Sequence, residues 1–188
     1  ITRDYALEPT EGDILILDDD SARRSQSVPA KYAEDGRLLA AAYTRPATRA
    51  ASDLVTDLEE LGYTVTLEPA ASSDATFWPD YDLIICSSGD NTTTLTDDGL
   101  RADLTSFVAD GGKLLVEGGE VAYDMQYTDA TFMRDVLHVD DWNGDSSGDL
   151  AVADAAHPVM SVPNPIEGSI GNSYSGYGDA DHVDPTSS

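Results

Sequence analysis

Short unbroken apolar runs along this chain are separated by longer stretches in which apolar positions recur every three or four residues. Leu83-Ile84-Ile85-Cys86 and Leu114-Leu115-Val116 are continuous runs, a pattern suited to strands covered on both faces of a parallel sheet. Between them Leu100, Leu104, Phe107 and Val108 fall at helical spacing. Thr96, followed by Asp97 and Asp98, predicts the start of that helix, and Gly111 predicts its end. The stretch from Tyr81 to Asp124 is therefore a β-α-β unit, which calls for a right-handed crossover.

The same reading extends outward. Residues 1–12 form an irregular lead-in, and Asp13-Ile14-Leu15-Ile16-Leu17 is a first strand that runs into Asp18-Asp19-Asp20-Ser21. Residues 21–46 look like an insertion over one edge of the sheet, with a helical patch predicted from Tyr32 to Tyr43. Ala47, Ala50, Ala51, Leu54, Val55, Leu58 and Leu61 predict an amphipathic helix ended by Gly62. Tyr63 to Leu67 then predicts a second strand closed by Pro69. Phe77, Trp78 and Pro79 belong to a loop, while Phe132, Met133, Val136 and Leu137 make a short helix face. Leu150-Ala151-Val152 predicts a weak fifth strand, and a Pro-, Gly- and Ser-rich segment follows, with a polar tail expected to tolerate loss. Strands alternating with helices, with the first strand in the middle, predict a three-layer, doubly wound, mainly parallel α/β sheet of flavodoxin-like type. In such sheets ligands lie beyond the carboxyl ends of the strands. The candidates there are Asp18, Asp19, Asp20, Ser87, Asp90 and Glu117.

Composition narrows the possible partners. Of 188 residues, Asp plus Glu number 36 against 10 for Lys plus Arg, a formal net charge of -26. Lys31 and Lys113 are the only lysines. No basic patch is present to neutralise phosphates, which disfavours nucleic acid as a partner and an anionic membrane surface with it. The acids are spread along the whole chain, which favours a surface adapted to high salt over one devoted to cation binding. No run approaches the roughly 18–20 apolar residues that cross a bilayer, so direct membrane insertion is not expected. The chain begins at Ile1 without an apolar leader and reads as a processed chain or a piece of a larger protein. Cys86 is the only cysteine, which excludes an internal disulfide and a cysteine-based zinc site.

The stretch YDLIICSSGDN, followed by LT…L…FVADGGKLLVEGGEVAYD, resembles the class I glutamine amidotransferase-like domains. The closest likeness is to the non-catalytic versions appended to secreted or cell-surface proteins, some of them peptidases. The resemblance spans roughly Asp13 to Val162, with Ala156-His157-Pro158-Val159 also in keeping. It implies a domain over residues 13–162 and a separate Gly/Ser/Pro-rich segment over 163–188. Active members carry a Cys on a sharp strand-to-helix elbow and a His-x-Glu pair further on. Here the elbow falls at Val116-Glu117-Gly118-Gly119, with no Cys or Ser, and His182-Val183-Asp184 has no nucleophile to serve. Acyl transfer lacks its first step. The resemblance thus implies a non-catalytic accessory module, extracellular or at the cell surface, whose partners are neighbouring domains or other proteins.

Other motifs offer competing chemistry. Asp18-Asp19-Asp20-Ser21 with Ser87 partly imitates a haloacid dehalogenase-type phosphatase, but Ala22 departs from that motif and Lys113 begins its strand at the far end of the sheet. The acids there also suggest a magnesium-binding receiver, which would need an Asp where Ser87-Ser88 stands. Asp141, Asn143, Asp145 and Asp149 place oxygen ligands as calcium loops do, yet Ser146 and Val152 replace the loop's Gly and Glu. No cofactor is required by any motif, and Ca2+ or another hard cation is the one candidate. Cys86 closes an apolar strand without a neighbouring base and reads as a buried small hydrophobe. Asn91-Thr92-Thr93 fits a glycosylation sequon by chance, the three histidines are isolated, and Trp78, Tyr174 and Tyr177 serve packing ahead of ligand stacking.

The charge has a direct consequence. Self-repulsion at low ionic strength should be relieved by screening, so the unfolding midpoint is expected to rise steadily from low to molar salt. Thermal denaturation across that range checks it, and a flat or falling midpoint contradicts the high-salt reading.

Overall fold

A computed structural model describes residues 11–20, 26–28, 31–32, 38–40, 43–45, 50–89, 91, 93–146, 150–151, 155–156, 169–170 and 180–186. Strand β1 spans Asp13–Asp18, helix α1 Ala50–Glu60 and β2 Thr64–Pro69. Strand β3 (Leu83–Gly89), helix α2 (Asp98–Ala109) and β4 (Leu114–Gly118) form the central unit. Helices α3 (Val121–Thr128) and α4 (Ala130–Asp135) follow, then β5 (Val139–Ser146) and β6 (Ala180–Pro185). The sheet runs β2-β1-β3-β4 with every neighbouring pair parallel. The chain is thus an α/β protein with a four-stranded parallel sheet flanked by helices.

Alternation along the strands divides the core in two. Ile14, Ile16 and Ile85 face α1, meeting Ala51, Leu54, Val55 and Leu58. Leu15, Leu17, Ile84 and Cys86 face the other way, onto Leu100 and Leu104 of α2, Met125 of α3 and Phe132 of α4. Each fully buried Leu or Ile contributes roughly 1.5–3 kcal/mol. Trp78 closes this second core, its indole N–H donating to Ser73 Oγ at 2.9 Å and its ring meeting Phe107 edge-on at 6.0 Å. It sits in a 3-10 turn, Ala75–Asp80, where an open loop was expected.

The helix ends explain themselves. Asp97, not Thr96, caps α2, its carboxylate accepting from Leu100 N at 2.9 Å. Gly111, at φ 93°, turns the chain out of α2 in a conformation that costs other residues a Cβ clash. On α1, Leu61 lies past the last turn and is exposed, so the apolar face ends at Leu58.

Three expectations need correction. The patch from Tyr32 to Tyr43 is not helical where described: Lys31–Tyr32 pairs with Leu38–Ala40 and Gln26–Val28 with Tyr43–Arg45, both antiparallel. Ala- and Leu-rich letters gave way to a nested hairpin. Leu150–Ala151 pairs antiparallel with Ser169–Ile170 and does not extend the main sheet. The polar tail contributes β6, which pairs with β5 and places Val183 against the core. Asp181 makes that tail structural. Its carboxylate accepts from the backbone of Ala122 at 2.7 Å and Tyr123 at 3.4 Å, and from Trp142 Nε1 at 2.8 Å. A negative group at a helix N-terminus satisfies donors the helix itself cannot.

Deleting residues 180–188 is therefore expected to lower the melting temperature, and Asp181→Ala alone should cost about 1–3 kcal/mol by leaving three donors short. Chemical denaturation of both variants checks this; a tail that is merely appended would leave the midpoint unchanged.

Candidate functional site

The parallel register draws the carboxyl ends of the strands into one row. Pro69, Asp18, Ser87 and Glu117 are successive cross-strand partners of β2, β1, β3 and β4. In-register residues of parallel strands face the same side, so Asp18 and Glu117 flank Ser87. Ser87 is buried and its hydroxyl donates to a Glu117 carboxylate oxygen. Asp18 Oδ1 accepts from Asp20 N at 3.0 Å, turning the acidic run back on itself. Burial raises the Asp18 carboxyl above the usual range; the Asp20 N–H opposes this, and the charges of Asp20 and Asp19 reinforce it.

Asp19 points to the opposite side and gathers the loop that follows β3. Its Oδ2 accepts from Ser88 Oγ at 3.0 Å, Leu95 N at 2.8 Å and Asn91 Nδ2 at 3.5 Å, while Asn91 Nδ2 also reaches the Asp19 carbonyl at 3.3 Å. Its own N–H donates to Ser87 O at 2.9 Å. Leu95 is held at φ 48°, unusual for a residue with a side chain. It is pinned from both sides, since Arg101 Nη1 donates to its carbonyl at 2.5 Å. Arg101 is buried and also pairs with Asp98 and Asp129. Thr94 completes the clamp, its Oγ1 donating to Asp124 Oδ2 at 3.1 Å.

Strand β4 ends in a bend that runs through Glu117-Gly118-Gly119 into α3. Gly118 has φ 156°, and a Cβ there would come within 2.9 Å of both Ser88 Cβ and Val121 Cγ2. Gly119 N donates to Gly89 O at 3.1 Å, so strand, bend and neighbouring loop are locked together. Helix α3 starts directly after Glu120, itself buried. No thiol or hydroxyl side chain stands between Val116 and Glu120. Cys86, one strand away, is fully buried; desolvation, then Asp19, Glu117 and Asp18, push its thiol far above the ordinary value. Its thiolate is inaccessible, as expected of a buried small hydrophobe.

Of the expected edge residues, Asp18, Asp19, Asp20, Ser87 and Glu117 gather at the carboxyl end, and Asp90 lies outside the described residues. Of the expected calcium ligands, three fall within β5, Val139–Ser146. Asp141 and Asn143 lie exposed on β5, paired across to β6, and for Asp145 only the backbone is described. Asp149, Tyr174 and Tyr177 lie outside the described residues. Among the described residues no group of three or more His, Cys, Asp or Glu is arranged to hold a metal ion. Asn91 is buried and tied to Asp19, which closes the sequon to modification in the folded chain. Sequence reasoning missed Thr94, Arg101, Asp124 and Asp181. A polar residue that serves a loop leaves no periodic signature, although the lone Arg inside the apolar face of α2 was a visible exception.

Compared with protein families, curated proteins and solved structures, the chain matches none of them.

A raised carboxyl pKa in the folded chain fixes the sign of a pH effect. The folded state then holds more protons than the unfolded one above the ordinary value, so stability falls as pH rises through the raised value. Asn at this position can still accept from Asp20 N without the charge. Asp18→Asn is expected to raise the melting temperature at neutral pH, with the gain shrinking as pH is lowered toward the ordinary carboxylate range. Melting curves of both proteins from neutral to acid pH test this, and a loss of stability on substitution contradicts it.

Proposed function

We propose that this chain is a non-catalytic accessory module of glutamine amidotransferase-like, flavodoxin-like fold, belonging to a larger exported protein adapted to high salt. Its work is docking against neighbouring domains or protein partners. The observation that carries this reading is the bend after β4, where Glu117-Gly118-Gly119-Glu120 occupies the place a nucleophile would need. The surrounding polar groups are spent on one another: Ser87 on Glu117, and Ser88, Asn91 and Leu95 N on Asp19. Groups that satisfy each other in the resting fold have little left for a transition state. The order β2-β1-β3-β4 supports the flavodoxin-like assignment.

The competing reading is a hydrolase, either a degenerate phosphatase using Asp18 and Asp20 or a domain of a secreted peptidase. Lys113, the cation phosphoryl chemistry would borrow, precedes β4 at the end of the sheet away from Asp18. Incubation of the full chain with phosphomonoesters and with glutamine, each with magnesium, is expected to give no turnover above buffer. Turnover that Asp18→Asn abolishes would replace the accessory reading with the hydrolase one.

A further inference from the structure

Strand β4 ends the main sheet, and among the described residues no strand pairs with its outer edge. A bare edge offers unpaired N–H and C=O groups to any extended chain, and edges are usually protected by like charges, proline or a bulge. The opposite edge, β2, carries Glu68 and terminates in Pro69. Strand β4 carries one carboxylate, Glu117, near its end, but no proline, and its middle is apolar. Its sequence with the preceding residue is Lys113-Leu114-Leu115-Val116-Glu117, apolar in the middle and oppositely charged at the ends. Alternation puts Lys113, Leu115 and Glu117 on one face, and there Leu115 is 51% exposed.

We infer that β4 is a self-complementary edge that pairs antiparallel with β4 of a second copy of this chain. Centred on Leu115, that pairing sets Lys113 of each copy opposite Glu117 of the other and Leu115 opposite its own counterpart. Residue 114 faces residue 116 on the other side of the ribbon. The two-fold relation is closed, so it makes a dimer and not a fibre. Charge singles out this occupant: the chain carries -26 overall with only two lysines, and one of them stands where self-pairing places it against a carboxylate twice. Space is also present. A cleft of about 400 Å³ opens beside the strand, lined by Leu114, Val116, Val136, Val139 and Val183, and it can receive the partner's Leu114 and Val116. Repulsion between two acidic chains opposes association at low salt, so the dimer gains from screening. None of this depends on whether the carboxyl edge is inert.

Sedimentation velocity on the full chain in molar salt is expected to show a monomer–dimer equilibrium. Lys113→Glu or Glu117→Lys alone should weaken it about tenfold or more, since each replaces two attractive cross-strand pairs with repulsive ones. The double swap Lys113→Glu/Glu117→Lys should bring it back to near the original strength. Leu115→Cys tests the register independently of the charges: strand partners sit within disulfide reach, so oxidation should give a covalent dimer. The unsubstituted chain, whose Cys86 is buried, should not cross-link. A chain that stays monomeric up to millimolar concentration overturns the inference. So does a dimer indifferent to Lys113→Glu, or a Leu115→Cys variant that fails to cross-link.

Discussion

A carboxylate at the end of a buried strand must find donors, and the way Asp19 finds them sets the shape of this protein's carboxyl edge. Its Oδ2 takes the hydroxyl of Ser88 and the backbone N–H of Leu95, and Asn91 closes over it. Those contacts draw a loop 69 to 76 residues distant in sequence onto the end of β1. Hydrogen bonds to an ionised group are worth about twice neutral ones, enough to hold Leu95 at a positive φ that would cost it roughly 1–3 kcal/mol in isolation. Once Leu95 is fixed, Arg101 can bury its guanidinium against that carbonyl and reach Asp129. The clamp therefore joins the edge of the sheet to α2 and to the start of α4.

The second tie comes from the far end of the chain. Asp181 on β6 caps α3 from outside the helix and holds the indole of Trp142. Tyr123 lies against that indole at 5.0 Å, and Tyr127 against Tyr123 at 5.4 Å. A short helix of eight residues is marginal by itself, so its stability must come from such external partners. The two acids act alike: each replaces a cap or turn that local sequence does not provide with one brought from elsewhere. In a chain so poor in cations, Asp19, Asp124 and Asp181 take backbone, hydroxyl and indole donors as partners.

The parallel sheet was legible because burial on both faces writes continuous apolar runs, as in Leu83 to Cys86. Helices α1 and α2 were legible because one face each is packed, which writes a 3.6-residue period. What escaped is what no period records. The stretch from Asp140 to Asp145 carries turn-formers and acids, and it reads as a loop until a partner strand is known; β6 provides the pairing that outweighs those preferences. Likewise the residues from Lys31 to Ala40 contain good helix formers, and the antiparallel pairing of Lys31–Tyr32 with Leu38–Ala40 overrode them. Candidate site residues were found by topology alone, since the row Asp18–Ser87–Glu117 follows once the strands are ordered. The contacts of Asp19 and Asp124 were not, because Ser88, Asn91 and Thr94 reach them across the fold.

The sharp bend after β4 is fixed by its packing. Gly118 is required there because Ser88 and Val121 leave no room for a Cβ, and the N–H of the next residue is tied to Gly89 O. Both come from packing the strand end against its neighbour, and neither involves a reacting group. The bend is thus set by packing, whatever side chains stand beside it. Glu117 fits that view: its carboxylate completes a hydrogen bond from buried Ser87, a structural task that a thiol at the same place would perform poorly. The residue at the bend is thus explained by what holds the sheet's edge together, without appeal to a reaction.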